Sequence, residues 1–118
     1  MIADRLLAAL GCLFGAAGIA LMALAAHGRW PSIDYSATMT LTHAPVLLAV
    51  VAGIRSGLLR AFVARPAALV LALAVALFSA DVTVHAIEGV SLFPMAAPIG
   101  GTVSIAAWLV LALSALMA

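Results

Sequence analysis

The sequence contains no lysine and little charge of any sign. Its 118 residues include five arginines and four acidic residues, so 8% are charged while 68% are hydrophobic. Soluble domains are about a quarter charged and about half apolar, and a water-soluble fold of this size cannot bury so much apolar surface. The shortage of charge therefore excludes a soluble domain and predicts an integral membrane protein. The net charge of +1 gives no basis for a nucleic-acid partner.

Cysteine is almost absent as well. A single cysteine, Cys12, excludes an internal disulfide. Because it lies within an apolar segment, we expect it to be a small buried hydrophobic residue. Hydroxyl side chains such as Ser79 and Thr83 have no base placed beside them by any local motif, so we expect no enzymatic activity.

Four apolar segments are long enough to cross a hydrocarbon core of about 30 Å, which takes roughly 20 helical residues. The first is longer than the apolar part of a secretory leader, so we interpret it as a membrane span. Pro66 and Pro98 suit the first turn of the last two helices, where their missing N–H breaks no bond. Short connections make consecutive helices antiparallel. The sequence thus predicts one all-α domain over 1–118, an up-down bundle of four transmembrane helices at about 5–26, 36–57, 66–88 and 98–117.

Arginine is distributed unevenly between the two ends of this bundle. One end has four arginines and the other has only Arg29; the four are Arg5, Arg55, Arg60 and Arg65. The positive-inside rule then predicts a multi-pass membrane protein with both termini in the cytoplasm. We interpret Arg55, Arg60 and Arg65 as a topology signal with snorkelling side chains. The alternative is a contact with anionic membrane lipids.

Small residues recur at helical spacing on the first and last segments. Membrane helices associate through such residues because they allow close backbone approach. The predicted helix-packing positions are Gly11, Gly15, Gly18, Gly100, Gly101 and Ser104. Rows of this kind are expected in any compact bundle.

Polar residues gather near one end of the third segment. Asp81, His85 and Glu88 are spaced by four and three, so they share a helical face. His43 on the antiparallel second segment is expected at a similar depth, and His27 lies at the outer end of the first, where Gly28 would cap the helix.

Three interpretations of this candidate cluster remain open. In the first, the residues form a structural hydrogen-bond cluster in which Asp81 bonds to His43, to Thr83 or to a backbone group freed by Pro45. Alternatively, His43, His85 and Asp81 hold a metal, or the two histidines hold a haem. Thirdly, the group belongs to a path for protons or small solutes.

Short motifs in a fixed order point to a known family. They are AAHG at 25–28, THAPVLL at 42–48, LFSA at 77–80 and PIGG at 98–101, with Trp108 seven residues later. Together they resemble the small bacterial inner-membrane proteins of the domain-of-unknown-function 423 family, whose eukaryotic relatives include transmembrane protein 256. The resemblance implies four membrane helices and no established activity.

Individual residues both match this pattern and depart from it. His27, His43 and Ser79 match residues of the family. Met39 stands where the family usually has tyrosine, and Ala97 where it usually has threonine; Asp81 and His85 also fall outside the pattern. The resemblance therefore implies that a function shared by the family does not depend on Asp81 or His85.

We predict a non-enzymatic function. We expect a small structural or accessory membrane protein that self-associates or joins a larger membrane complex, in contact with membrane lipids and without a cofactor. The alternatives are a metal- or haem-binding protein and a protein that passes protons or small solutes.

Overall fold

The computed structural model describes residues 1–118, and four helices account for most of them. They are α1 (Ile2–Ala26), α2 (Ile33–Ser56), α3 (Ala61–Glu88) and α4 (Ala96–Leu116). Each is long and apolar enough to cross a membrane. The predicted all-α four-helix bundle is confirmed, and the chain is a multi-pass membrane protein.

Glycines end the two central helices. Gly57 follows α2 with φ 81° and Gly89 follows α3 with φ 76°, a left-handed conformation that glycine adopts without steric cost. Gly28 follows α1 with a positive φ as well, as predicted. The connections at 27–32 and 89–95 lie at one end of the bundle, which we call the loop end. The opposite end carries residues 57–60 and both termini, and we call it the arginine end.

The start of α3 differs from the prediction. The helix begins at Ala61, so Pro66 is its sixth residue and does not lie in the first turn. The missing N–H of Pro66 leaves only the carbonyl of Phe62 without its helical partner, and Phe62 is exposed at the helix start. The loss is thus confined to an end where solvent or headgroups reach the carbonyl. Pro98 is the third residue of α4, inside the first turn as predicted.

The helices pack in chain order. The central helices α2 and α3 pack on each other, α1 packs chiefly on α2, and α4 packs on α3, whereas α1 and α4 have no contact. Alanine is the most frequent residue of the core, beside larger residues such as Leu7, Leu47, Leu71 and Val75. Because α1 is covered on one side only, Cys12 faces outward, and the expectation that it is buried was wrong.

Three of the predicted packing glycines lie against backbone or side chains of a neighbouring helix. A Cβ added at Gly11 would lie 2.8 Å from the Ala44 carbonyl oxygen, and one at Gly18 would overlap Leu41. A Cβ at Gly100 would lie 2.8 Å from the Ala74 carbonyl oxygen. The small residues therefore bring α1 close to α2 and α4 close to α3 within one chain.

The other predicted packing positions are less crowded or act through hydrogen bonding. A Cβ at Gly15 or Gly101 would meet its nearest neighbour only at 3.9 or 4.0 Å. Ser104 is buried, and its hydroxyl donates a hydrogen bond to the Gly100 carbonyl at 2.8 Å.

An ion pair joins α1 to α3 at the arginine end. Arg65 donates from Nε to Asp4 Oδ1 at 2.7 Å and from its terminal nitrogen to Oδ2 at 3.3 Å. The Asp4 side chain is buried, and the exposed Arg55 lies 3.8 Å from it. This two-point contact, of the geometry that suits guanidinium and carboxylate, supports the slight packing of α1 on α3. The topology interpretation of Arg65 had not included it.

Candidate functional site

Three of the candidate cluster residues lie on the surface of the loop end. His85 and Glu88 are exposed on the last turns of α3, and His27 is exposed at the end of α1 with its Nδ1 2.6 Å from the Ala23 carbonyl oxygen. Only His43 and Asp81 are buried. The five residues therefore do not form one cluster.

His43 connects α2 to α4. Its Nδ1 lies 2.7 Å from the Met39 carbonyl oxygen, and its Nε2 lies 3.1 Å from Nε1 of Trp108. A carbonyl only accepts and an indole N–H only donates. Nδ1 of His43 therefore carries the proton, and Nε2 accepts from Trp108, which makes the imidazole neutral. Both ring nitrogens are occupied, so neither is free to bind a metal.

The partner of His43 was not found by sequence reasoning, although both residues had been singled out separately. A tryptophan in the middle of an apolar helix offers the clue, because an indole N–H away from water needs an acceptor. Trp108 lies in the middle of α4. The one buried histidine of the chain supplies that acceptor.

Replacing Trp108 by phenylalanine should lower the free energy of unfolding by about 1 kcal/mol, the usual scale of a hydrogen bond between membrane helices. The phenyl ring keeps most of the packing, but His43 Nε2 loses its donor. Unfolding of the reconstituted protein by a denaturing detergent measures the change. Trp30→Phe is the control, since Trp30 stacks on Arg29 in the loop. Equal stability of the two variants would contradict a role for the His43–Trp108 bond.

Asp81 caps the connection that leads into α4. Its Oδ1 accepts the backbone N–H of Leu92 at 2.7 Å, and its Oδ2 accepts that of Ala97 at 3.1 Å. Ala97 is the second residue of α4, where N–H groups lack helical partners and the helix dipole favours a negative charge. Asp81 thus acts as an N-cap supplied by another helix. The expectation that it bonds to His43, Thr83 or a group freed by Pro45 was wrong.

This contact also fixes the level of Asp81 along the bundle. The 28 residues of α3 extend about 42 Å and the 21 residues of α4 about 31 Å. Since α4 starts beside Asp81, the last two turns of α3 extend beyond the start of its neighbour. The carboxylate therefore lies at the level of a helix terminus rather than deep among helix interiors.

Four hydroxyl side chains connect α2 to α3. Ser36 donates to the Ser79 carbonyl at 3.1 Å, and the Thr40 hydroxyl lies 2.9 Å from that of Ser79. The Thr83 hydroxyl lies 3.0 Å from that of Ser36. Ser36 had not been singled out, although the i, i+4 spacing of Ser36 with Thr40 and of Ser79 with Thr83 places each pair on one face. These bonds orient two helices whose other contacts are non-directional.

Most of the chain matches the sequence model of a known family. The sequence model described as "Protein of unknown function (DUF423)" matches residues 14–101. The chain belongs to this family. The matched part includes His43, Asp81 and the hydroxyl residues of α2 and α3. Comparison with curated proteins and with solved structures found no significant match.

In this DUF423 protein the predicted ligand residues do not converge. No group of three or more histidine, cysteine, aspartate or glutamate side chains is arranged to hold a metal ion. His43 is bonded to α4 through Trp108, while Asp81 is bonded to the connection before α4. The arrangement of these side chains gives the metal or haem alternative no support.

An open groove runs between α1 and α3, and we call it the alanine groove. It has a volume of about 460 Å³, and its walls are mostly small residues. The hydroxyl-bearing Thr40, Ser79 and Thr83 contribute to its lining. The remaining lining residues are Phe14, Ala17, Ala20, Leu21, Ala76, Ala80 and Val84.

Proposed function

We propose that this DUF423 protein is a small structural or accessory protein of the bacterial inner membrane, which acts by assembling with a second copy or with a larger membrane complex. The alanine groove is the observation that carries the proposal. Membrane helices associate where small residues let backbones approach closely, and the alanines of the groove at positions 17, 20, 76 and 80 are all exposed. Gly11, Gly18 and Gly100 already pack tightly against helices of the same chain.

The polar side chains support the same role. His43 with Trp108, Asp81 with the start of α4, and Asp4 with Arg65 each join two parts of one chain. Buried polar bonds of this kind orient helices where lipid supplies no hydrophobic drive between them. A rigid bundle with a fixed groove suits assembly, and the proposed role requires no cofactor.

The proposed orientation places both termini in the cytoplasm. Four arginines lie toward the arginine end, and Arg29 lies at the loop end. The positive-inside rule assigns the richer end to the cytoplasm. A cysteine-accessibility assay in intact cells tests this placement, using a residue of the 89–95 connection on one side and the C-terminus on the other.

Filling the alanine groove should disrupt assembly. Native mass spectrometry from mild detergent is expected to show the wild-type protein as an oligomer or with a co-purifying membrane partner. In Ala17→Phe we expect at least a tenfold loss of that species, because the ring occupies the space of the partner helix.

Ala16→Phe is the matched control. Ala16 and Ala17 are neighbouring exposed alanines of α1, but only Ala17 lines the groove. A lone wild-type monomer without a partner would count against the proposal, as would equal effects of the two variants. An absorption spectrum and elemental analysis of the same sample test the metal or haem alternative.

A further inference from the structure

The arginines of the arginine end differ in how they are paired. Arg65 is held by Asp4 through two contacts, and Arg55 lies at 3.8 Å from the same carboxylate. Arg60 is exposed and forms no ion pair in the chain. Arg60 is therefore an arginine whose charge the fold leaves uncompensated, beside the start of α3.

A second groove, which we call the valine groove, lies between α3 and α4. It has a volume of about 530 Å³, and eight of its nine lining residues are hydrophobic. The groove forms because small residues lie between larger ones. The small Ala67 and Ala107 are buried, while the larger Phe62, Val70 and Val110 are exposed. The other lining residues are Val63, Pro66, Val103 and Ala106.

Arg60 lies at one end of the valine groove. Ser114 follows Val110 by four residues and so continues the face of α4 that lines the groove, while Arg60 immediately precedes α3. The two residues are bonded to each other: the Arg60 N–H donates to the Ser114 carbonyl at 3.3 Å, and the Ser114 hydroxyl donates to the Arg60 carbonyl at 3.1 Å. The valine groove thus ends at the backbone of Arg60, whose guanidinium has no ion-pair partner.

The length of the valine groove and the unpaired Arg60 at its end suit an acyl chain with an anionic headgroup. From Phe62 to Val70 the helix rises about 12 Å, close to the roughly 15 Å of hydrocarbon in one leaflet. An acyl chain needs one leaflet only, and its headgroup then lies at the depth of Arg60.

We propose that the valine groove and Arg60 form a binding site for one anionic phospholipid. The acyl chain lies between α3 and α4, and the guanidinium of Arg60 binds the phosphate, for which its planar fork of donors is suited. The site is separate from the alanine groove and does not depend on assembly there.

The test is a lipid titration of the purified protein followed by native mass spectrometry. Phosphatidylglycerol and phosphatidylcholine with identical acyl chains are compared. We expect the wild-type protein to bind phosphatidylglycerol about fivefold more tightly, the ratio that one basic residue near an anionic surface supplies. Arg60→Gln should bring the two affinities together and leave the fold unchanged, because the contacts of Arg60 with Ser114 are made by its backbone.

Three further variants separate this site from general attraction to the arginine end. Arg5→Gln removes an exposed arginine of α1, which has no contact with α4, and should keep the preference. Ala106→Phe fills the groove and should weaken both lipids at least fivefold, whereas Ala115→Phe, outside the groove, should not. Equal lipid affinities in the wild-type protein, equal effects of Arg5→Gln and Arg60→Gln, or unchanged binding in Ala106→Phe would each overturn the proposal. So would a wild-type dimer that Ala106→Phe dissociates, because the groove would then hold a second copy.

Discussion

Replacing Gly100 by alanine should lower the free energy of unfolding by up to about 2 kcal/mol. The added Cβ would lie 2.8 Å from the Ala74 carbonyl oxygen and 2.9 Å from the Phe78 backbone nitrogen. Both are backbone atoms of α3, which move only if the whole helix moves, and overpacking of this kind typically costs about 1–3 kcal/mol. Alanine favours a helix over glycine by about 1 kcal/mol, so the net loss measures a genuine clash between α3 and α4.

Gly101→Ala is the adjacent control for this clash. Its Cβ would meet nothing nearer than Phe78 Cδ2 at 4.0 Å, so we expect unchanged stability or a gain of up to about 1 kcal/mol. Both variants are compared with the wild-type protein in bicelles by detergent-induced unfolding, followed by far-ultraviolet circular dichroism. If the two glycine variants unfold at the same detergent fraction, α4 does not approach α3 through Gly100 as described.

The helices were predictable because bilayer thickness sets their minimum length and apolar composition marks them. The start of α3 was not predictable. Pro66 is favoured in a first turn, but it is also tolerated one turn later, where few helical hydrogen bonds are lost. The packing order was not predictable either. Gly11 and Gly100 indicate close helix contact, but their spacing does not say whether the partner belongs to the same chain.

The sequence was enough to predict which residues belong to the candidate site, but not which groups they bond to. The spacing of Asp81, His85 and Glu88 fixes a shared face, yet only Asp81 is buried. Its partners are backbone N–H groups at Leu92 and Ala97, which leave no mark in the amino-acid pattern. Asp4 and Arg65 are 61 residues apart, and their pairing depends on how α1 lies on the other helices.

The cap provided by Asp81 should be the largest single polar contribution to stability. Hydrogen bonds to charged groups contribute about 1.5–3 kcal/mol each, and the carboxylate accepts two. It also holds a connection in which Met95 has φ 69°, a conformation that costs a non-glycine residue free energy. We therefore expect Asp81→Ala to lower the free energy of unfolding by about 3–4 kcal/mol. Backbone amides over 89–97 should then exchange with solvent much faster.

Asp81→Asn and His85→Ala complete the Asp81 experiment. Asparagine keeps one acceptor but turns an amide donor toward the second N–H, so its loss should approach that of alanine. His85 is exposed one turn along the same helix, and its replacement should change stability by less than about 0.5 kcal/mol. Hydrogen exchange read by mass spectrometry distinguishes the variants by segment. Unchanged exchange over 89–97 in Asp81→Ala would rule out the cap. Asp81→Asn could instead abolish a proton flux into liposomes while exchange over 89–97 stays slow. That result would assign Asp81 to a permeation path, because a structural cap cannot be lost while the connection it holds stays protected.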